Sequence, residues 1–368
     1  MREIVAGRTR VRRDEDIIAT HGDSTMSSDP ISARDPGNGR HGAFGALRLE
    51  RVPLEACDWE ALDMLPDRVL FQTREWLEFL RRTQAAEPVV ARLHADGETV
   101  GWFSGAVVRR FGIRILGSPF PGWTTAWMGF NLVAPVDRWD AAAALAPFAR
   151  ELGCLHLELR DRLLEGPAPA ALGFERSDPE TYEIPLEPDE DVIFGRMNSA
   201  CRRAIRRGEK VGVHIEEATG EAFADQYYAQ LEDVFAKQSL TPTYGVERVR
   251  ELIRCLEPSG RLLLVRALSP EGAPVATALF PAFNGVAYFW GGASWREHQQ
   301  LRPNEAIFWY TIRHLKARGF RVLDLGGGGD YKLKYGPEHV IVPFFRRSRV
   351  PGLARLRDLA ERVKTRGY

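Results

Sequence analysis

The chain has 368 residues, and its 50 lysines and arginines are balanced by 50 aspartates and glutamates, so its formal charge is zero. That balance argues against a dedicated nucleic-acid binder, which needs a net basic surface, and no DNA partner is expected. Two or three domains fit this length, and 44% apolar residues supply their cores. Cys57, Cys154, Cys201 and Cys255 show no paired spacing, which points to free thiols in a reducing compartment. No stretch approaches the roughly eighteen apolar residues of a membrane span, and the N-terminus lacks the apolar core of a signal peptide. A cytoplasmic enzyme is expected.

Met1 to Phe44 is rich in Arg, Asp, Ser and Gly without apolar periodicity, and disorder is expected there. From Leu47 onward the pattern becomes that of a folded domain. Phe71 to Leu80 reads as an amphipathic helix, followed by strands at Val89 to Leu93, Val100 to Val108 and Ile113 to Leu116. Gly117 to Gly129 mixes turn formers with Trp123 and Trp127, whose flat rings suit the lip of an acceptor groove or an irregular edge over a sheet. A helix over Arg138 to Leu152, a strand over Cys154 to Leu159 and the segment Tyr182 to Leu186 close the first half.

The second half repeats this grammar. A basic helix carries Arg202, Arg206 and Lys210 at four-residue spacing, with Arg203 and Arg207 alongside. Such a face is either solvated or suited to phosphate, and spacing alone leaves both readings open. Helices over Phe223 to Gln238 and Val246 to Leu256 precede strands at Leu262 to Ala267, Val275 to Phe280 and Val286 to Trp290. A long helix from Asn304 to Lys316 leads into the strand Arg321 to Leu325, and Val340 to Phe345 is the last strand. Leu152 to Arg160 and Arg318 to Gly326 share the order helix end, glycine, alternating strand, which indicates an internal duplication. The basic end, Arg346 to Tyr368, reads as a short helix that docks on the protein or touches anionic lipid at the inner membrane face.

Asp324 to Gly336, D-L-G-G-G-G-D-Y-K-L-K-Y-G, is the most pointed stretch. Gly326, Gly327, Gly328 and Gly329 lack side chains and let backbone amides approach another molecule. Lys332, set between Tyr331 and Tyr335, would be partly dehydrated and suited to stabilising a developing negative charge. Lys334 is expected nearer solvent, pointing away from Lys332 if the segment forms a helical turn. Asp324 and Asp330 flank the glycines and are candidate proton acceptors. His298 has no partner at metal-ligand spacing and Cys201 no paired base, so neither metal nor thiol chemistry is indicated.

Together with N-S-A-C-R-R-A-I-R-R-G-E-K-V-G-V (Asn198 to Val213) and W-G-G-A-S (Trp290 to Ser294), this segment resembles the FemAB-type, or CelD/BioF-type, branch of the GNAT acyltransferases. The likeness is clear from Leu186 to Arg346 and weaker over Leu47 to Pro185, where F-Q-T-R-E-W-L-E-F-L is similar to the family's first helix. It implies an α/β protein of tandem GNAT-like domains, each a mixed, mostly antiparallel sheet flanked by helices. The expected divisions are a tail to residue 44, domains over 45–186 and 187–350, and a basic helix from 351. It also implies transfer of an acyl or aminoacyl group to an amine, often on an envelope precursor, with the aromatic-lysine pair falling on Tyr331-Lys332. Gly326 to Gly329 and Asn304 are expected on the donor side, and Trp290, Trp123 and Trp127 on the acceptor side. One departure bears on the donor. Where acetyl-CoA enzymes of this fold carry Q/R-x-x-G-x-G/A, this chain has Gln299 to Ala306, with Pro303 lacking an amide and Glu305 adding negative charge. Acyl-CoA and aminoacyl-tRNA both remain as co-substrates, with no tightly bound cofactor. A CoA-dependent acetyltransferase and a non-catalytic glycan-binding scaffold are the alternatives.

Overall fold

The computed structural model describes residues 45–110, 112–236 and 240–350, so the expectations for the N-terminal tail and the C-terminal helix lie outside the described residues. The first half comprises β1 (Arg48–Val52), α1 (Trp59–Asp63), α2 (Arg74–Gln84), β2 (Glu87–Ala95), β3 (Glu98–Arg110), β4 (Ile113–Ser118) and β5 (Gly129–Leu132). It continues with α3 (Arg138–Ala143), α4 (Leu145–Glu151), β6 (His156–Arg160) and β7 (Glu175–Ser177). Next come β8 (Glu180–Pro185), α5 (Glu190–Arg196), α6 (Ser199–Lys210), β9 (His214–Ala218), α7 (Ala222–Ala236) and α8 (Val246–Leu256). The remainder is β10 (Leu262–Leu268), β11 (Pro274–Phe283), β12 (Val286–Tyr288), β13 (Gly291–Ser294), α9 (Pro303–Ala317), β14 (Val322–Gly326), β15 (Glu338–Ile341) and β16 (Phe344–Ser348).

Local chemistry sets several of these boundaries. The expected helix at Phe71 begins instead at Arg74, because the Thr73 side chain accepts from the Trp76 amide and caps it. In the same way the Asn198 side chain accepts from the Cys201 amide and starts α6. The helix expected from Arg138 to Leu152 is divided at Ala144 into α3 and α4.

Two sheets result, ordered β1-β2-β3-β4-β6-β16-β7 with β5 on β3, and β15-β8-β14-β12-β11-β10-β9 with β13 on β11. Each is mixed and mostly antiparallel. Their parallel pairs correspond, β4 with β6 and β12 with β14, and this is the duplication that the sequence indicates around Leu152 and Arg318.

The sheets do not respect the division expected at Leu186. Only Asp178 and Pro179 separate β7 from β8, yet β7 lies in the first sheet and β8 between β15 and β14 of the second. Only Val342 and Pro343 separate β15 from β16, yet β16 lies between β6 and β7 of the first. The two halves therefore exchange a strand. A single strand from Val340 to Phe345 is not formed, since Pro343 has no amide to continue a ladder.

The layers follow from which faces are apolar. Leu157, Leu159 and Phe345 of the first sheet pack outward with Phe148 of α4, and Ile307, Ile312 and Leu323 bind α9 to the outer face of the second. Between the sheets, Trp76 and Phe79 of α2 meet Tyr227 of α7, Leu252 of α8, and Leu279 and Tyr288 of the second sheet in one core. Arg261 pairs there with Asp63 and Glu75 of the first half. This shared core fixes one half against the other and puts the inner face of the second sheet opposite first-half residues.

Candidate functional site

The second sheet opens at its centre. β12 runs beside β14 as far as Tyr288 opposite Asp324, and the last link is the Phe289 amide donating to the Asp324 carbonyl at 2.8 Å. Beyond it the chain turns away, the Trp290 amide donates to Leu279, and β13 follows β11 alone. The strand expected over Val286 to Trp290 is thus broken where the gap starts. The Trp295 amide donates to the Val275 carbonyl, which sets odd-numbered residues of this stretch toward β11 and turns the backbone of Gly292 and Ser294 into the gap.

The gap leads to a cavity of about 130 Å³ between the sheet and α9. Phe289, Ile307 and Phe308 form its apolar walls, and Asn304, Lys334 and Tyr335 are among its polar ones. The Asn304 amide nitrogen donates to the Ser294 hydroxyl at 3.0 Å, tying the start of α9 to β13. Pro303 occupies the first position of α9, and Glu305 lies in its first turn, where the helix end favours a negative charge. Lys334 Nζ is 2.7 Å from Glu305 Oε1 and 5.0 Å from the Tyr335 ring centre, and Tyr335 stacks on Phe308 at 4.3 Å. The helix start therefore already holds an anion, and that anion already has its cation.

Among the described residues the first half has no such opening. Its chain leaves the sheet after Ser118 and returns at Gly129, and the excursion between them seals the equivalent place. The Met128 amide donates to the Arg160 carbonyl, the Gly129 amide to Ser118 Oγ, and the Phe130 amide to Asp161 Oδ2. The turn-rich segment Gly117 to Gly129 is this seal. Trp127 is buried in the shared core rather than lining an open lip, and half-buried Trp123 packs on Phe120 at 4.8 Å.

The glycine segment begins where β14 ends. Thr181 Oγ1 donates to Asp324 Oδ1 at 2.6 Å and the Gly326 amide donates to the same oxygen at 2.7 Å, while burial raises the Asp324 pKa. Gly327 passes so close to β8 that a Cβ would lie 2.6 Å from the Glu180 carbonyl. Asp330 to Tyr335 then form a 3-10 turn, as a helical turn requires Lys332 and Lys334 to diverge. They do so, and Lys334 is the more exposed of the two as expected, but it is Lys334 and not Lys332 that stands over Tyr335. Lys332 is only 6% exposed and turns under the glycines, donating to the carbonyls of Gly326 at 3.3 Å and Gly327 at 3.0 Å. Burial lowers its pKa, opposed by the charge of Asp324. It lies 5.8 Å from the Tyr331 ring, and the lysine set over Tyr335 at the cavity is Lys334. Tyr331 is exposed at the cavity mouth, and Asp330 is exposed and outside the lining.

On the inner face, Tyr288, Asp324 and Glu183 stand in register across β12, β14 and β8. Arg162 forks onto both oxygens of Glu183. Trp290 is also on this face, buried, with Nε1 donating to Thr124 Oγ1 of the first-half excursion at 2.8 Å. Arg248 donates to the same oxygen from Nη2 at 3.2 Å.

The cationic helix divides its residues differently from the four-residue pattern. Arg202 donates to the carbonyls of Gly195 and Met197, closing the end of α5, and Arg206 lies 5.3 Å over the Phe194 ring. Arg203, Arg206, Arg207 and Lys210 are exposed. Gly208 brings α6 against the start of α9, with the Leu301 carbonyl 3.4 Å from where a Cβ would stand. Cys201 is buried, its thiol pushed up to about 11 by that burial. The Lys334–Glu305 pair and Arg248 are the features that sequence reasoning passed over. Only the first had a signal, Glu305 at a helix start with unpaired lysines later in the chain.

Residues 195–335 match a family model described as an acetyltransferase (GNAT) domain, a span that contains the whole gap and cavity. No curated protein sequence matches the chain. Among solved structures, FemX is similar with a TM-score of 0.66 over 80% of this chain and 96% of that one, at 13% identity. A protein of unknown function from Bacteroides thetaiotaomicron VPI-5482 gives 0.55 over 81% and 98%, at 13% identity. L-PGS from Bacillus licheniformis gives 0.50 over 80% and 97%, at 12% identity. At such identities the likeness is one of fold. Among the described residues no helix is long and apolar enough to cross a membrane, and no cluster of side chains suits a metal ion. Residues 195–335 thus match a GNAT acetyltransferase domain, the enzyme class is that of an acyltransferase, and the two halves together share the fold seen in FemX.

Proposed function

We propose that this acyltransferase moves an activated aminoacyl group onto an amine of a cell-envelope precursor, with aminoacyl-tRNA rather than acyl-CoA as donor. The observation that carries the choice of donor is the Glu305–Lys334 pair at the start of α9. A pyrophosphate seated there would meet a carboxylate and would have no amide from Pro303. An aminoacyl ester needs only the cavity and the strand edge. Exposed Arg203, Arg207 and Lys210, beside the same helix start, would take the phosphates of the nucleic acid. The envelope acceptor rests on the resemblance of Asn198 to Val213 and Asp324 to Gly336 to FemAB-type sequences.

In this reading the ester carbonyl lies along β13, where the backbone of Gly292 and Ser294 is turned toward it. The amine arrives from the inner face and forms a C–N bond. Lys332 stabilises the oxyanion from beneath the glycines, and Asp324, its pKa raised by burial, takes the ammonium proton. The ester C–O bond then breaks and the proton passes to the leaving ribose hydroxyl.

The match to an acetyltransferase family model favours a second reading, acetyl transfer from CoA. Incubating the purified chain with an extract containing envelope precursors, plus either radiolabelled aminoacyl-tRNAs or radiolabelled acetyl-CoA, separates the two. Label should leave the tRNA and appear in precursor. Label moving only from acetyl-CoA would overturn the choice of donor, and tight precursor binding without transfer from either would identify a scaffold.

A further inference from the structure

Arg248 stands in the first turn of α8 with its guanidinium carbon 5.4 Å from the Tyr244 ring centre and 5.9 Å from those of Phe79 and Trp290. Among the described residues its one hydrogen bond goes to Thr124, its Nε has no partner and no carboxylate lies within 4.0 Å of it. Other buried or half-buried arginines near the junction of the halves are treated differently. Arg68 pairs with Asp63, Arg138 with Asp67 and Asp161, and Arg261 with Asp63 and Glu75. Enclosing a cation among three aromatic rings without a counter-ion is costly, and a ligand that brings the missing charge removes that cost.

The surroundings say where such a ligand would sit. Trp290 is the residue at which the chain leaves β14, so the cage adjoins the gap on the inner face, opposite Phe289 and the donor cavity. Tyr244 is hydrogen-bonded through its hydroxyl to Tyr227, whose oxygen would stand 2.5 Å from a Cβ on Gly291. Thr124 is exposed, which opens the cage to solvent between the halves.

We infer that Arg248 binds a carboxylate of the acceptor, so that the substrate is an amine bearing a nearby carboxylate, as in a peptide or amino acid, rather than an uncharged amino sugar. This deepens the acyl-transfer reading and rests on it. A carboxylate matches the site better than a phosphate. The cage holds one guanidinium and no second cation among the described residues, and its flat walls suit a planar group that accepts a guanidinium fork.

Titration of intrinsic tryptophan emission, to which Trp290 contributes, tests this with glycylglycine, glycylglycinamide and O-phosphoethanolamine. Glycylglycine should saturate at a concentration about tenfold lower than its amide, the usual worth of a hydrogen bond to a charged group. Arg248→Gln should abolish that preference and Arg248→Lys keep part of it, with folding checked by circular dichroism. Equal affinity for the two peptides, tighter binding of O-phosphoethanolamine, no binding of any probe, or an unchanged preference in Arg248→Gln would each overturn the inference. The two peptides are compared on the unaltered protein, so the result does not depend on a variant that folds. Label transfer to amines without regard to a carboxylate would sink this inference and leave the acyl-transfer reading intact. Carboxylate-selective binding with no transfer from any donor would do the reverse.

Discussion

Replacing Lys332 by alanine removes a cation held 3.0 Å and 3.3 Å from two carbonyls of the glycine segment, at the place where β14 leaves the sheet. Two costs follow, and they can be separated. The structural one is small. Gly327 is exposed and Gly326 half-buried, so water can replace the ammonium at both carbonyls and about 1 kcal/mol of stability is lost. The catalytic one is larger, because a charge positioned before the reaction acts on the oxyanion without reorganising. Losing one comparable donor costs on the order of 10²–10³ in turnover, or about 2.7–4 kcal/mol. Lys334→Ala makes the contrast. It removes a half-buried ion pair at the cavity, worth under about 1 kcal/mol, and leaves Glu305 favoured by the helix start. Steady-state kinetics with charged tRNA as donor should therefore show kcat collapsing in Lys332→Ala with KM nearly kept, and KM changing more than kcat in Lys334→Ala. Equal small effects of both substitutions on folded protein would refute the role given to Lys332. A collapse in Lys334→Ala alone would move that role to the lysine that faces the cavity.

Glu305→Gln should raise affinity for CoA by about tenfold, since it uncovers the helix start and frees Lys334, and unaltered CoA affinity by calorimetry would remove the argument against that donor. Arg202→Gln should lower stability by about 1–2 kcal/mol through the two carbonyls it leaves open without changing tRNA affinity. Replacing Arg203, Arg207 and Lys210 with Gln should weaken tRNA binding and flatten its salt dependence, and salt titrations showing the opposite division would restore the four-residue face. Burial holds the Asp324 pKa above the ordinary aspartate value of 3.8, so this group favours the folded state most when protonated and that contribution fades as pH rises through the folded pKa. Asp324→Asn should therefore gain melting temperature relative to the unaltered protein between pH 4 and neutrality, and parallel melting profiles would show that the carboxyl does not titrate there.

Much of the second half was legible because its signals are local. The caps at Asn198 and the apolar spacing of Val246 to Leu256 fix α6 and α8 without help from the rest of the chain. Long-range choices were not. Alternation over Tyr182 to Leu186 and Val340 to Phe345 says that strands form but not which sheet receives them, since β8 and β16 would be equally apolar in either. Pro343 was the available warning that the last strand is two. The lysines illustrate a finer limit. A turn places Lys332 and Lys334 on different sides, but only the packing of Tyr335 on Phe308 determines which side is the cavity. Arg248 gave no signal, because its meaning is the absence of an acid that only the assembled halves reveal.

The crossing of β8 and β16 has a consequence for how the chain must be made. As it leaves the ribosome, the first half can lay down β1 to β6 and β7, but β6 and β7 lie beside β16, which is synthesised after almost everything else that has been described. Until Phe344 to Ser348 emerge, those two strands present open edges with nothing between them, and such edges invite pairing with other chains. The final strand thus acts as a closing stitch for the part of the protein made first. Losing a few residues near Ser348 to a protease or a premature stop would damage a sheet that begins some three hundred residues earlier, while the cavity, Lys332 and the glycine segment would all still be encoded.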